Sequence, residues 1–182
     1  MPSATPAELS DRWRQFLTEV DGLLSVRVQL HCLGGFVLAV GHGLTRTTSD
    51  VGYVEVLPPE ASTTLQQIAG RASPLARKHL IYFQHVGVAS LPESYAERLT
   101  ELLPGTLTKL RLLALDPHDL ALSKLARNHP VDREDVAYLA RRIPLRADVL
   151  RKRYREELRP IIIGDPRIHD RTLDMWIEAY VQ

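Results

Sequence analysis

The segment LGGFVLAVGHGLTRTTSDVGYVEV, Leu33–Val56, gathers residue types suited to holding a nucleotide. The Gly34-Gly35 pair closes a run of alternating apolar and polar residues, and a helix starting there aims free N–H groups and partial positive charge at an incoming phosphate. Lacking Cβ atoms, the pair lets the backbone come close to it. Arg46 and the hydroxyls of Thr47, Thr48 and Ser49 then lead into Asp50, a carboxylate at the head of a β-rich run. Such donors beside a strand carboxylate suit a nucleoside triphosphate with Mg2+, which takes few carboxylates and completes its shell with phosphate oxygens. The same residues also read as a tight turn with a turn-capping aspartate and no chemistry.

Two-metal phosphoryl chemistry asks for more. Alternate residues of a strand share a face, so a second metal carboxylate belongs two places after the first, where the chain has Gly52. Glu55 falls on the opposite face unless a bulge shifts it. On the following strand, FQHVGVAS offers only His85 and Gly87 at a suitable parity for a third carboxylate. The magnesium site is thus expected to be weak.

Hydrophobic period supplies the elements that must position these residues. Leu9, Trp13, Phe16, Leu17, Val20 and Leu24 recur at helical spacing, which predicts a helix from Ala7 to about Leu24, capped by Ser10 or Thr5. SVRVQLHCL, Ser25–Leu33, alternates as a half-buried strand and runs into the Gly-Gly pair. A short helix, a strand over DVGYVEVL, a helix over TTLQQIAGRA, a third strand over His79–Ser90 and a fourth over Thr106–Leu115 follow. Everything after Asp116 reads as short helices, including one from Arg146 to Leu158, with Pro130 stopping the helix that precedes it. The expected architecture is α+β. About four strands form a mixed core over 1–116, and a helical part over 117–182 packs on it as one compact domain.

Composition narrows the function classes. The 182 residues carry a formal charge of +1, so a polyanionic partner is neither demanded nor excluded. The single Cys32 excludes an internal disulfide and reads as a small buried hydrophobe; the seven histidines show no zinc spacing. No apolar run approaches the roughly 18 residues of a membrane span, and the expected setting is cytoplasmic. Arg151, Arg155 and Arg159 line one helix face, which suits either an RNA backbone or a solvated face paired with neighbouring acids.

LGGFVLAVGHGLTRTTSDVGYVEV resembles the Gly-Gly segment, spacer and acidic strand of minimal nucleotidyltransferases of the polymerase-β-like superfamily. DPHDLALSKLARNHPVDREDVAYL resembles the later block of the AbiEii-like toxins of type IV toxin-antitoxin systems and of an uncharacterised bacterial nucleotidyltransferase-like family. The likeness covers roughly residues 25 to 145. It implies a mixed sheet flanked by helices and transfer of a nucleotide onto an RNA, protein or small-molecule hydroxyl. It also implies that Gly34 and Gly35 form the phosphate loop, with Asp50 as metal ligand and catalytic carboxylate; Arg46 and Thr48 are nucleotide-binding candidates by residue type. Lys124 is implied to contact triphosphate, and Asp132 matches the last acidic motif. An antitoxin is the implied partner. The alternative is a silent relative that uses the cleft to bind a nucleotide, an RNA or a protein, and Asp119 and Asp132 also suit helix caps.

Overall fold

The computed structural model describes residues 9–181. The expected Ala7 start of the first helix and the Thr5 cap lie outside them. Contacts divide the chain into two compact units. One runs to Gly87 and takes in Thr100–Ala114; the other holds Val88–Leu99 and the chain from Leu115 onward.

The first unit is built on a five-stranded mixed sheet with strand order β3-β2-β1-β5-β4. Its strands are β1 (Val28–Leu33), β2 (Asp50–Leu57), β3 (Tyr82–His85), β4 (Thr100–Leu102) and β5 (Leu110–Ala114). β1 pairs antiparallel with β2 and parallel with β5; β2 and β3 run parallel. Helices α1 (Asp11–Leu23), α2 (Gly35–His42), α3 (Ala61–Ala69) and α4 (Pro74–His79) accompany it. The helical period of α1 is realised as Phe16, Leu17 and Val20, all essentially inaccessible. Phe16 packs on Phe83 of β3 with ring centroids 5.6 Å apart, and Trp13 meets Phe36 of α2 at 5.1 Å. Leu30, Cys32, Val51 and Tyr53 are fully buried as well, each large apolar side chain worth on the order of 2 kcal/mol of burial.

Three expectations change. The sheet has five strands, not about four, because Thr100–Leu102 adds an edge strand too short to show a period. The third strand is only Tyr82–His85, since His79 ends a helix that Ser73 caps by accepting from the Ala76 N–H at 3.0 Å. Pro74 at the first helical position was the local sign of that helix. The helix expected over Arg146–Leu158 is α7 (Ala147–Arg153) continued by a π-helical turn, Tyr154–Leu158.

The second unit also holds a 3₁₀ turn (Tyr95–Arg98), α5 (Pro117–Leu122), α6 (Pro130–Arg142) and α8 (Pro166–Tyr180). α6 packs against α8 through an apolar face that includes the buried Val136, Leu139, Leu173 and Trp176. Asp116 and Asp165 cap α5 and α8, accepting from the His118 and Arg167 N–H groups, and proline opens α5, α6 and α8. No described helix is long and apolar enough to cross a membrane.

Candidate functional site

β1 ends at Leu33, and Gly34 takes φ +79° before α2 begins at Gly35. That positive φ strains any L side chain, which is why glycine stands there. The start of α2 has no side-chain cap, so its first N–H groups carry the partial positive charge of an open helix end. A Cβ on Gly35 would stand 3.3 Å from Thr48 Oγ1, and that hydroxyl donates to Asp50 Oδ1 at 3.3 Å. Gly35, Thr48 and Asp50 therefore form one cluster, in which the missing side chain of Gly35 admits Thr48. Arg46 lies in the loop leading to Thr48 and is exposed.

Strand pairing decides which side chains share the Asp50 face. Leu33 is opposite Gly52 and Cys32 opposite Tyr53, but His31 is opposite Glu55, so Val54 is an extra residue that bulges β2. The bulge reverses the parity beyond it. Glu55 thus joins Asp50 and Gly52 on one face, a correction to the unbulged expectation, and the buried His31 joins it there. Burial pushes the His31 imidazole below its ordinary value, and the Glu55 charge works against that shift. On β3, Gln84 pairs with Gly52, while His85 pairs with Tyr53 and lays its ring 5.4 Å from that tyrosine. His85 therefore projects from the face opposite Asp50, a second parity correction, and Gly87 lies beyond the strand.

The donors around Asp50 fit magnesium only in part. Glu55 shares its face, but five residues at about 3.3 Å each put it roughly 16 Å away along the strand. A Cβ on Gly52 would stand 3.2 Å from the Leu33 carbonyl oxygen, with Leu33 Cδ2 and Val86 Cγ2 just beyond. Among the described residues no three His, Cys, Asp or Glu side chains group closely enough to hold a metal ion. One carboxylate fits a single ion delivered on a triphosphate, and does not fit a pair.

Lys124 and Asp132 lie in the second unit, together. Lys124 is buried, donates to Asp135 Oδ2 at 2.8 Å and sits 3.6 Å from Asp132 Oδ1. Asp132, at 0 % exposure, accepts from Arg127 Nε at 2.8 Å and from the His129 N–H at 2.9 Å, so it also caps α6. Burial would raise its carboxyl, but Arg127, the His129 N–H and Lys124 outweigh that and hold it below the usual range.

A second ion network, unread in the sequence, joins four stretches of the same unit. Arg98 forks onto Asp119 at 2.8 and 3.2 Å and onto Glu157 at 2.8 and 3.2 Å. Arg153 reaches Asp119 at 3.0 Å and Asp116 at 2.5 Å. His118 Nε2 accepts from the Arg146 N–H at 3.0 Å, so its Nδ1 carries the proton and donates to Asp116 at 3.2 Å. Asp119 is completely buried and is matched by two guanidinium groups, the strong bidentate arrangement of a carboxylate. Among the three arginines expected on one face, Arg151 pairs with Asp174 and Arg159 with Asp170, at 2.9 Å for the latter.

A mixed sheet with a Gly-Gly turn, a helix opening on it and a strand carboxylate beside it is a nucleotidyltransferase-like arrangement. Residues 14–178 match the model of the family described as nucleotidyltransferase of unknown function (DUF6036), and the chain belongs to that family. Comparisons with curated proteins and with solved structures found no match.

Proposed function

We propose that this protein binds a nucleoside triphosphate at the Gly34-Gly35 turn, with Asp50 and Thr48 flanking the phosphates and Arg46 adding positive charge. One observation carries the reading: at the open start of α2, Thr48 stands against Gly35, where a Cβ would crowd it, and donates to Asp50. The uncapped N–H groups of α2 would hold the phosphate oxygens, and Thr48 would fix the Asp50 carboxylate. A magnesium ion arriving on the triphosphate would find one protein carboxylate, Asp50, and no step depends on a second ion. In this reading the fold retains nucleotide binding, and transfer onto an RNA or protein hydroxyl is slow. The resemblance to AbiEii-like toxins adds a toxin-like role and an antitoxin partner to the same reading. Lys124, held by Asp135 and Asp132, serves the integrity of its own unit in the first place.

The test is equilibrium binding of each labelled nucleoside triphosphate, with magnesium or manganese, to the purified protein and to Gly35→Val. The added branched side chain would collide with Thr48 and is expected to weaken binding by about tenfold or more, the loss of roughly one charge-assisted hydrogen bond. The same mixtures, supplied with total tRNA, report any labelled product. Absence of triphosphate binding, or equal binding by Gly35→Val, overturns the proposal.

A further inference from the structure

Within the first unit, the amino-terminal turn of α1, the second half of α2 and the loop before β2 enclose a cavity of about 440 Å³. Trp13, Val40 and Leu44 form an apolar wall; Arg12, Thr45, Arg46 and Thr48 supply polar groups. A cavity of several hundred cubic ångströms with an apolar body and a few converging polar groups is the usual form of a small-molecule site. Arg12 is the informative member. Its Nε donates to the His79 carbonyl at 2.7 Å and its Nη2 to the Leu80 carbonyl at 2.5 Å, which fixes the guanidinium plane. Among the described residues no carboxylate pairs with it, and the two carbonyl bonds hold its positive charge at the cavity. Gly34 and Gly35 do not line this space.

We infer that this cavity binds a phosphate monoester carried on an apolar or aromatic body, beside the Gly-Gly turn and sharing the Arg46–Thr48 loop with it. The apolar wall accepts the body, while the fixed guanidinium and the Thr45 hydroxyl donate to the phosphate. A phosphate offers more acceptor oxygens than a carboxylate to such spread donors. Thr48 lines the cavity and bonds to Asp50, so a ligand there adjoins the loop that positions the carboxylate.

The chain has two tryptophans, and Trp176→Phe leaves Trp13 as the sole reporter in the cavity wall. Phenyl phosphate titrated into this variant is expected to change Trp13 fluorescence saturably. Inorganic phosphate and benzyl alcohol, each carrying half of the recognition, are expected to bind at least about tenfold more weakly. Ala39→Phe fills the cavity from α2 and Arg12→Gln removes the charge; each is expected to weaken phenyl phosphate about tenfold or more while the circular-dichroism melt stays cooperative. Gly34→Ala strains the turn, where φ is +79°, without touching a cavity residue, and is expected to leave the affinity within about twofold, which separates this site from the triphosphate site. A flat titration overturns the inference. So does equal affinity in both Ala39→Phe and Arg12→Gln, or a loss in Gly34→Ala as large as theirs, which would place the ligand at the Gly-Gly turn.

Discussion

The carbonyl oxygen of Leu33 lies 3.2 Å from the point where Gly52 would carry a Cβ. The missing second carboxylate is thus accompanied by a backbone that has closed over its place. Gly52→Asp would press a buried negative charge against a carbonyl dipole, with the Leu33 and Val86 side chains as its other neighbours. Overpacking costs on the order of 1–3 kcal/mol, and an unpaired buried charge more than that. The expected outcome is a lower urea midpoint and no gain in magnesium or manganese affinity by calorimetry. A stable Gly52→Asp with tighter metal binding would show that β2 yields easily at this point.

Lys124 and Asp135 make a buried pair, both under a tenth exposed. Lys124 stands against both Asp135 and Asp132, so an apolar replacement weakens the compensation of two buried carboxylates, and Lys124→Met is expected to destabilise by about 3–5 kcal/mol. Lys124→Met combined with Asp135→Leu is expected to recover much of that loss, because two apolar groups fill the space left by the pair. Chemical denaturation of the two single variants and the double variant measures the coupling. A thermal midpoint unmoved by Lys124→Met would place the lysine on the surface instead.

Arg98 is the joint of the second network, forked onto Asp119 and Glu157. Arg98→Lys keeps the charge but cannot make two bidentate contacts at once. It is expected to cost about 2 kcal/mol or more in a denaturant titration, since the fully buried Asp119 would retain only Arg153. Loss of less than about 0.5 kcal/mol, the range of an ordinary surface substitution, would remove Arg98 from its central position.

How far these relationships were legible in the sequence depended on their range. The period of α1, the alternation of β1 and the Gly-Gly turn are local patterns, and they led to the right elements. The Val54 bulge is not local. It exists only in the pairing of β2 with β1, so the sharing of one face by Asp50 and Glu55 could not be counted along β2 alone. The face of His85 is hidden for a related reason: its parity depends on where β3 starts, and α4 consumes the first residues of that apparent run. The opposed charges of Lys124 and Asp135, or of Arg98 and Glu157, stand on different elements, where sequence spacing says nothing about contact. Only the capping role of Asp132, three residues after His129, had a readable local signature.

Acid should reveal the second unit's ion networks. Burial works to raise the Asp116 carboxyl, but His118 and Arg153 outweigh it and hold the group far below its ordinary value; Asp132 is lowered by Arg127, the His129 N–H and Lys124. With both carboxyls depressed in the folded chain, the unfolded chain binds more protons on the acid side. Their contribution is therefore fully present above the unfolded aspartate value, about pH 4, and is lost as pH falls through the lower folded values. Denaturation midpoints measured from pH 7 down to pH 2.5 are expected to hold steady to about pH 5 and then drop. Asp116→Asn should be less stable at pH 7, where the pair with Arg153 is missing, and should lose less on acidification than the parent. Parallel pH profiles for the two proteins would show that Asp116 takes up its proton at the same pH folded as unfolded, and the Arg153 pair would then contribute nothing to acid sensitivity.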